Sequence, residues 1–151
     1  MKHPATKHQD GVAIVEFALV LPILLLLTFL VFEFGRAVLY YGTIARTTRE
    51  AARYLSVHTP GTALTEARNI VIYGRPNGSG APVVPGLDVS QVEEEWDTEG
   101  TDPVVGLITV RVTGYQFTPI FFGSMTGGLG NVTFSNIQST MRSPNIPAGV
   151  P

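Results

Sequence analysis

Hydrophobic and polar positions alternate in three different ways along this chain. From Val12 to Phe34 almost every position is apolar, and Phe17 to Phe32 carries no charge. As a helix that stretch is about 34 Å long at about 1.5 Å per residue, enough to cross a hydrocarbon core of about 30 Å. Core helices of small soluble domains are rarely apolar on every side, so the pattern predicts a transmembrane helix over 12–34. Pro22 removes one backbone donor and is expected to kink it. Beyond Arg36 the period becomes helical and one-sided. Ala37, Tyr40, Tyr41, Ile44, Thr48, Ala51, Ala52 and Leu55 recur on one face, with Arg46, Arg49, Glu50 and Arg53 mostly on the other. The helix should therefore continue as an amphipathic one. Gly35 and Gly42 weaken it by up to about 1 kcal/mol each, and Thr59-Pro60-Gly61 should end it.

A second helix is predicted over Ala63–Tyr73, with Thr62 as N-cap, Gly74 as its stop and an apolar stripe of Ala63, Ala67, Ile70 and Val71. Arg75 to Pro82 reads as a loop. A period of two then takes over. Ile108, Val110 and Val112 alternate with Thr109, Arg111 and Thr113, which predicts a strand over Val104–Phe117. The phase shifts at Gly114, which suggests a bulge there. Further strands are expected over Leu87–Trp96 and Asn131–Met141, with a turn at Ser124–Gly130 and a frayed tail from Ser143. Two helices followed by three strands give an α+β fold, a small antiparallel sheet packed on the long helix.

Composition narrows the function. The 151 residues allow one domain and an anchor, and a net charge of −2 argues against a nucleic-acid partner. There is no cysteine, which excludes disulfides, thiolate metal sites and thiol catalysis. Glu93, Glu94 and Glu95, with Asp88, Asp97, Glu99 and Asp102, form an acidic stretch whose spacing matches no calcium loop and reads as a solvated surface. His3, His8 and His58 are scattered, so neither metal binding nor acid–base catalysis follows. The glycine-rich loop after Arg75 lacks the Gly-Lys-Ser/Thr ending of a phosphate loop. Asn131-Val-Thr133 is a glycosylation sequon only in a host that uses it. No enzyme and no cofactor is expected. Lys2 and Lys7 suit a secretory signal, but the apolar run is long for one and no clear small-x-small site follows. The basic residues on the two sides of the span do not decide its orientation.

Glu16 breaks the apolar run five positions after Gly11, and an ionisable group there needs a partner or water. Gly11, then Val12-Ala-Ile-Val, then Glu16-Phe17 and a long apolar helix resembles the processing site of type IV prepilins. The fuller run continues through Pro22, Glu33-Phe-Gly-Arg36 and Thr47-Thr-Arg-Glu-Ala-Ala-Arg-Tyr54. It resembles the TadE-like family, pseudopilins of the tight-adherence (Tad, or Flp) pilus system, over roughly Gly11 to Tyr54. Thr48 and Ala51 stand where that family usually has Ala and Gly.

The resemblance implies a cytoplasmic leader over 1–11, a membrane span over 12–34, an extracytoplasmic pilin-like domain over 35–142 and a flexible tail over 143–151. It implies Gly11, Val12, Glu16 and Phe17 as the processing site of a prepilin-type peptidase. It also implies Glu16 as an assembly residue, pairing with the freed amino group of a neighbouring subunit. The implied partners are that peptidase, other pilins or pseudopilins, Tad inner-membrane assembly proteins and the lipid bilayer. Two other readings stand beside it: a bitopic anchor presenting a ligand-binding or adhesive domain outside any pilus, and an exported enzyme. The last lacks a nucleophile–base or metal constellation.

Overall fold

The computed structural model describes residues 9–101, 104–121, 123 and 130–145, with Gln9 and Asp10 as backbone only. Lys2, His3, Lys7 and His8 of the expected leader lie outside the described residues. So do Asp102, most of the Ser124–Gly130 turn and the tail beyond Asn145. The chain forms two compact units that divide between Arg36 and Ala37.

The first unit is helix. Helix α1 (Gln9–Ser56) begins in it and is continuous through Pro22, Gly35 and Gly42. Pro22 has no N–H to offer the carbonyl one turn earlier. The most apolar 18-residue window of this helix has a mean hydropathy of 2.8, and none of it is buried. Side chains such as Leu19, Ile23 and Val31 stand more than half exposed. A core helix of a soluble protein hides such residues, and this one presents them on every side, as a lipid-facing helix does. The hydroxyl of Thr28 donates to the Leu24 carbonyl at 2.8 Å, so the polar group within the span is satisfied by its own helix.

The second unit is α+β. Ile44, Thr48, Ala51, Ala52 and Leu55 of α1 are buried, while Arg46, Arg49, Glu50 and Arg53 are exposed, as the helical spacing predicts. Thr47 is buried as well, its hydroxyl donating to the Ile44 carbonyl at 3.1 Å. Helix α2 (Leu64–Tyr73) buries Ala67, Ile70, Val71 and Ile72. Its start differs from expectation. The N-cap is Ala63 in the left-handed region at φ 58°, with no side-chain cap, because the Thr62 hydroxyl turns back to the Thr59 carbonyl at 2.6 Å. Gly74 ends the helix at φ 68° as expected.

The sheet has the order β1-β2-β5, with β1 at Val92–Glu99, β2 at Val105–Val112 and β5 at Ile137–Ser143, all antiparallel. Ile108 sits opposite Trp96 on one side and Met141 on the other. The alternation in β2 is as read from the sequence: Ile108, Val110 and Val112 are buried, and they share the core with α1 and α2. Two expected strands are each broken in two. Gly114 (φ 66°) is not a bulge within one strand. The ladder ends at Val112, and β3 (Gln116–Phe117) pairs instead with β4 (Val132–Thr133) in a separate ribbon. The strand expected from Asn131 is likewise divided between β4 and β5. The expected strand from Leu87 begins later, because Asp88 caps a single 3-10 turn at Val89–Gln91.

Rings close the ribbon onto α1. Tyr40 meets Phe117 edge-on with centroids 5.7 Å apart, and Tyr41 meets Phe134 at the same distance. At the other end of the unit the Ser143 hydroxyl donates to the Ser56 carbonyl at 2.9 Å, and the Asn145 amide donates to the His58 carbonyl at 3.1 Å.

Candidate functional site

The predicted processing residues lie on the first turns of α1. Gly11, Val12, Val15, Glu16 and Leu19 line one shallow depression on its surface. Val12 and Phe17 are 68% and 62% exposed, and Glu16 is exposed too. Among the described residues no hydrogen bond or ion pair engages the Glu16 carboxylate. The Glu16 carboxyl stands beside Val12 and Val15 without a partner among the described residues, on a helix otherwise suited to lipid. Such a group is stable only if water, a proton or a cation from another molecule meets it.

Gly11 has no structural reason to be glycine within the single chain. It is helical, its φ is not positive, and a Cβ there would meet nothing within 4 Å. The same is true of Gly35 and Gly42. Each weakens the helix by up to about 1 kcal/mol relative to alanine. Pro22 sits six residues beyond Glu16 in the same continuous helix.

At the far end of the apolar run Arg36 and Glu33 form an i,i+3 pair at 3.2 Å, with side chains only 15% and 9% exposed. The pairing joins the two charged ends of Glu33-Phe-Gly-Arg36. Each charge is largely offset by the other where the apolar run ends, which lowers the cost of leaving bulk water.

The groups set aside on sequence have structural roles in the domain. Glu93 and Glu95 are exposed on the outer face of β1, where Arg111 reaches both, at 3.8 and 3.4 Å. Glu94 points inward and binds Arg68. The period of two explains the split: one carboxylate of the three lies on the core face. His58 stacks on Tyr54 and places Nδ1 2.6 Å from the Tyr54 carbonyl. Among the described residues no three His, Asp or Glu side chains gather as metal ligands.

Sequence reasoning missed the Arg68–Glu94 pair. Its signal was present only as a lone basic residue on the polar side of α2, and the chain separation of the partners hides it.

Residues 11–53 match the family model of the TadE-like proteins. No curated protein and no solved structure matches the chain. The matched segment begins at the glycine and covers the apolar run and most of the amphipathic part of α1. Among the described residues one helix is long and apolar enough to cross a membrane, and with the match over it this suggests a membrane-anchored component associated with the Tad pilus.

Proposed function

From the TadE-like character of residues 11–53 we propose that this chain is a non-enzymatic minor pseudopilin, an assembly component of a Tad (Flp-type) pilus or a related secretion apparatus. In this reading the leader over 1–11 is cytoplasmic and the span over 12–34 crosses the bacterial inner membrane. The domain expected over 35–142 lies outside, and it reaches beyond that bound, because Ser143 ends β5 and is buried against Ser56 instead of starting a frayed tail. A prepilin-type peptidase cuts between Gly11 and Val12, with Glu16 and Phe17 as part of what it reads. Tad inner-membrane proteins and other pilins or pseudopilins receive the product.

One observation carries the reading beyond the family match: Glu16 is an exposed carboxylate with no partner among the described residues, five positions after a glycine that the fold does not require. Cleavage gives both features a purpose. Glycine lets the peptidase approach the backbone closely. The cut frees an ammonium at Val12, and Glu16 becomes the fifth residue of the new helix. A carboxylate so near a helix N-terminus is favoured by the helix dipole. It also offers the ammonium of an adjacent subunit a partner, and the two charges leave water together at lower cost than either alone. Pro22 is the point at which the helix has the least backbone bonding to lose if it must bend during packing.

The test is recovery of partners. The full chain and its Glu16→Ala variant are expressed in cells that make the Tad machinery, then purified from detergent extracts. The wild type should bring down pilin subunits or Tad membrane proteins, and Glu16→Ala should recover far less while still being cleaved. Equal recovery by the two chains contradicts the pairing role. No recovery by either contradicts the pseudopilin reading and favours a plain anchor.

A further inference from the structure

The second unit has an uneven surface. Among the described residues its exposed large apolar side chains include Ile120, Phe121 and Val132, in or beside the ribbon, and Val38, Leu39 and Tyr41 on the stretch of α1 whose Tyr40 and Tyr41 meet the ribbon's rings; Val57 and Val89 stand elsewhere. Tyr40 and Tyr41 hold the β3–β4 ribbon, Val132 pairs with Phe117 in it, and Ile120 follows Phe117 by three positions. This is the end at which the chain enters the unit, at Ala37. The opposite end carries Val57, beside the Ser56–Ser143 and His58–Asn145 bonds.

Two further features separate a lipid surface from a protein partner. The first is shape. Four consecutive helical residues sweep the whole circumference of a helix. Val38, Leu39, Tyr40 and Tyr41 do so with no polar member except the tyrosine hydroxyls, and three of the four are exposed. Tyr40 and Tyr41 lie against the ribbon while Val38 and Leu39 stand exposed, so the apolar surface extends past the face that the ribbon covers. The second is charge. No charged residue lies between Arg36 and Arg46, and no Asp, Glu, Lys, Arg or His lies between Arg111 and Arg142. The second stretch contains all of the ribbon, in a chain whose overall charged content is 15%. Tyrosine and phenylalanine are the side chains that settle at a membrane interface, with an apolar body and, in tyrosine, a polar tip.

We propose that the β3–β4 ribbon is a second membrane contact: Ile120, Phe121 and Val132, with Tyr41, Val38 and Leu39, rest in the interfacial layer of the bilayer that the N-terminal helix spans. The contact rests on the membrane anchoring given above and is independent of cleavage at Gly11. It makes the domain a surface-bound one, held at the membrane until assembly draws it away.

The chain has no cysteine, so single-cysteine variants report one place each. Full-length Leu27→Cys, Val57→Cys, Ile120→Cys and Val132→Cys are labelled with an environment-sensitive fluorophore. Each is reconstituted into neutral phospholipid vesicles, at fewer than one copy per vesicle, with nitroxide carried on the lipid tails. The labels at 120 and 132 should lose most of their emission, as the label at 27 does, while the label at 57 keeps it. If 27 is quenched and 120 and 132 behave like 57, the ribbon does not touch the bilayer although the anchor holds. An unquenched label at 27 defeats the anchoring itself and the inference with it. Quenching at 120 that appears only when many copies share a vesicle assigns the patch to contact between copies and overturns the proposal.

Discussion

Arg68 grips Glu94 with both arms of its guanidinium, Nε to Oε1 at 2.8 Å and Nη2 to Oε2 at 2.9 Å. The pair joins α2 to β1 across the inner face of the sheet. Glu94 is 4% exposed and Arg68 is 40% exposed, so the carboxylate depends on its partner far more than the guanidinium does. The Arg68 pKa is raised, chiefly by the hydrogen bond to Glu94 and then by its charge. Arg68→Ala strands a buried carboxylate and should cost about 2 kcal/mol, less than for a fully buried pair because water reaches the arginine side. Glu94→Gln keeps the hydrogen-bonding shape and should cost less. Thermal unfolding of the full chain in detergent measures both, and an unchanged Tm for Arg68→Ala would remove the pair from the fold's stabilising contacts.

How far the sequence carried the fold depends on the range of the forces involved. The apolar run, the buried face of α1 and the alternation in β2 are local periodicities, and Ile44, Leu55, Ile108 and Val110 lie buried where that pattern puts them. The Ala63 cap was not legible, because Thr62 has a competing acceptor one turn back in the Thr59 carbonyl. The break at Gly114 was legible as a change of phase. What it leads to was not, since the pairing of β3 with β4 depends on residues on both sides of the intervening loop. Glu16 stood out in the sequence because its charge contradicts its apolar surroundings, and Gly11 because of its place in the pattern that resembles a prepilin processing site.

A close approach fixes the end of the sheet. A Cβ on Gly106 would lie 2.5 Å from the Asn145 carbonyl oxygen and 3.1 Å from that of Ser143. Both are backbone atoms, so the strand end must move to admit even a methyl group. Gly106→Ala should cost about 1–3 kcal/mol and disturb the Ser143–Ser56 and Asn145–His58 bonds together. Amide hydrogen exchange would show faster exchange at the end of β5 with the ribbon unaffected. An alanine variant as stable as wild type would contradict the reading.

Asp88 gives a pH dependence with a definite sign. Its carboxylate accepts from the Ser90 backbone N–H at 3.0 Å, and the Gln91 side chain accepts from the Asp88 N–H at 2.9 Å, a reciprocal cap on the turn before β1. The Ser90 backbone bond, and then its side chain, hold the Asp88 carboxyl below the usual carboxylate range. A lowered native pKa means that the unfolded chain binds the proton more readily. The cap therefore contributes fully above the ordinary value of about 3.9 and fades as pH falls through the native one. An NMR titration should find the Asp88 carboxyl below that ordinary value. In Asp88→Asn the turn should persist without that acid dependence, and a normal carboxyl titration in the wild type would contradict the account.

Processing and assembly should separate. Gly11→Lys puts a long, charged side chain where the peptidase must approach the backbone, so the leader should stay attached. The fold of the second unit should be untouched, because Gly11 belongs to the first. Glu16→Ala should be cleaved at least in part. A Gly11→Lys chain that loses its leader normally would detach the glycine from the cut.

The central claim is the cut itself, and the intact mass of the chain extracted from membranes of cells with an active prepilin peptidase tests it most directly. The account predicts a chain beginning at Val12, without Lys2, Lys7, His3 and His8. A chain that still begins at Met1 in those cells would contradict it.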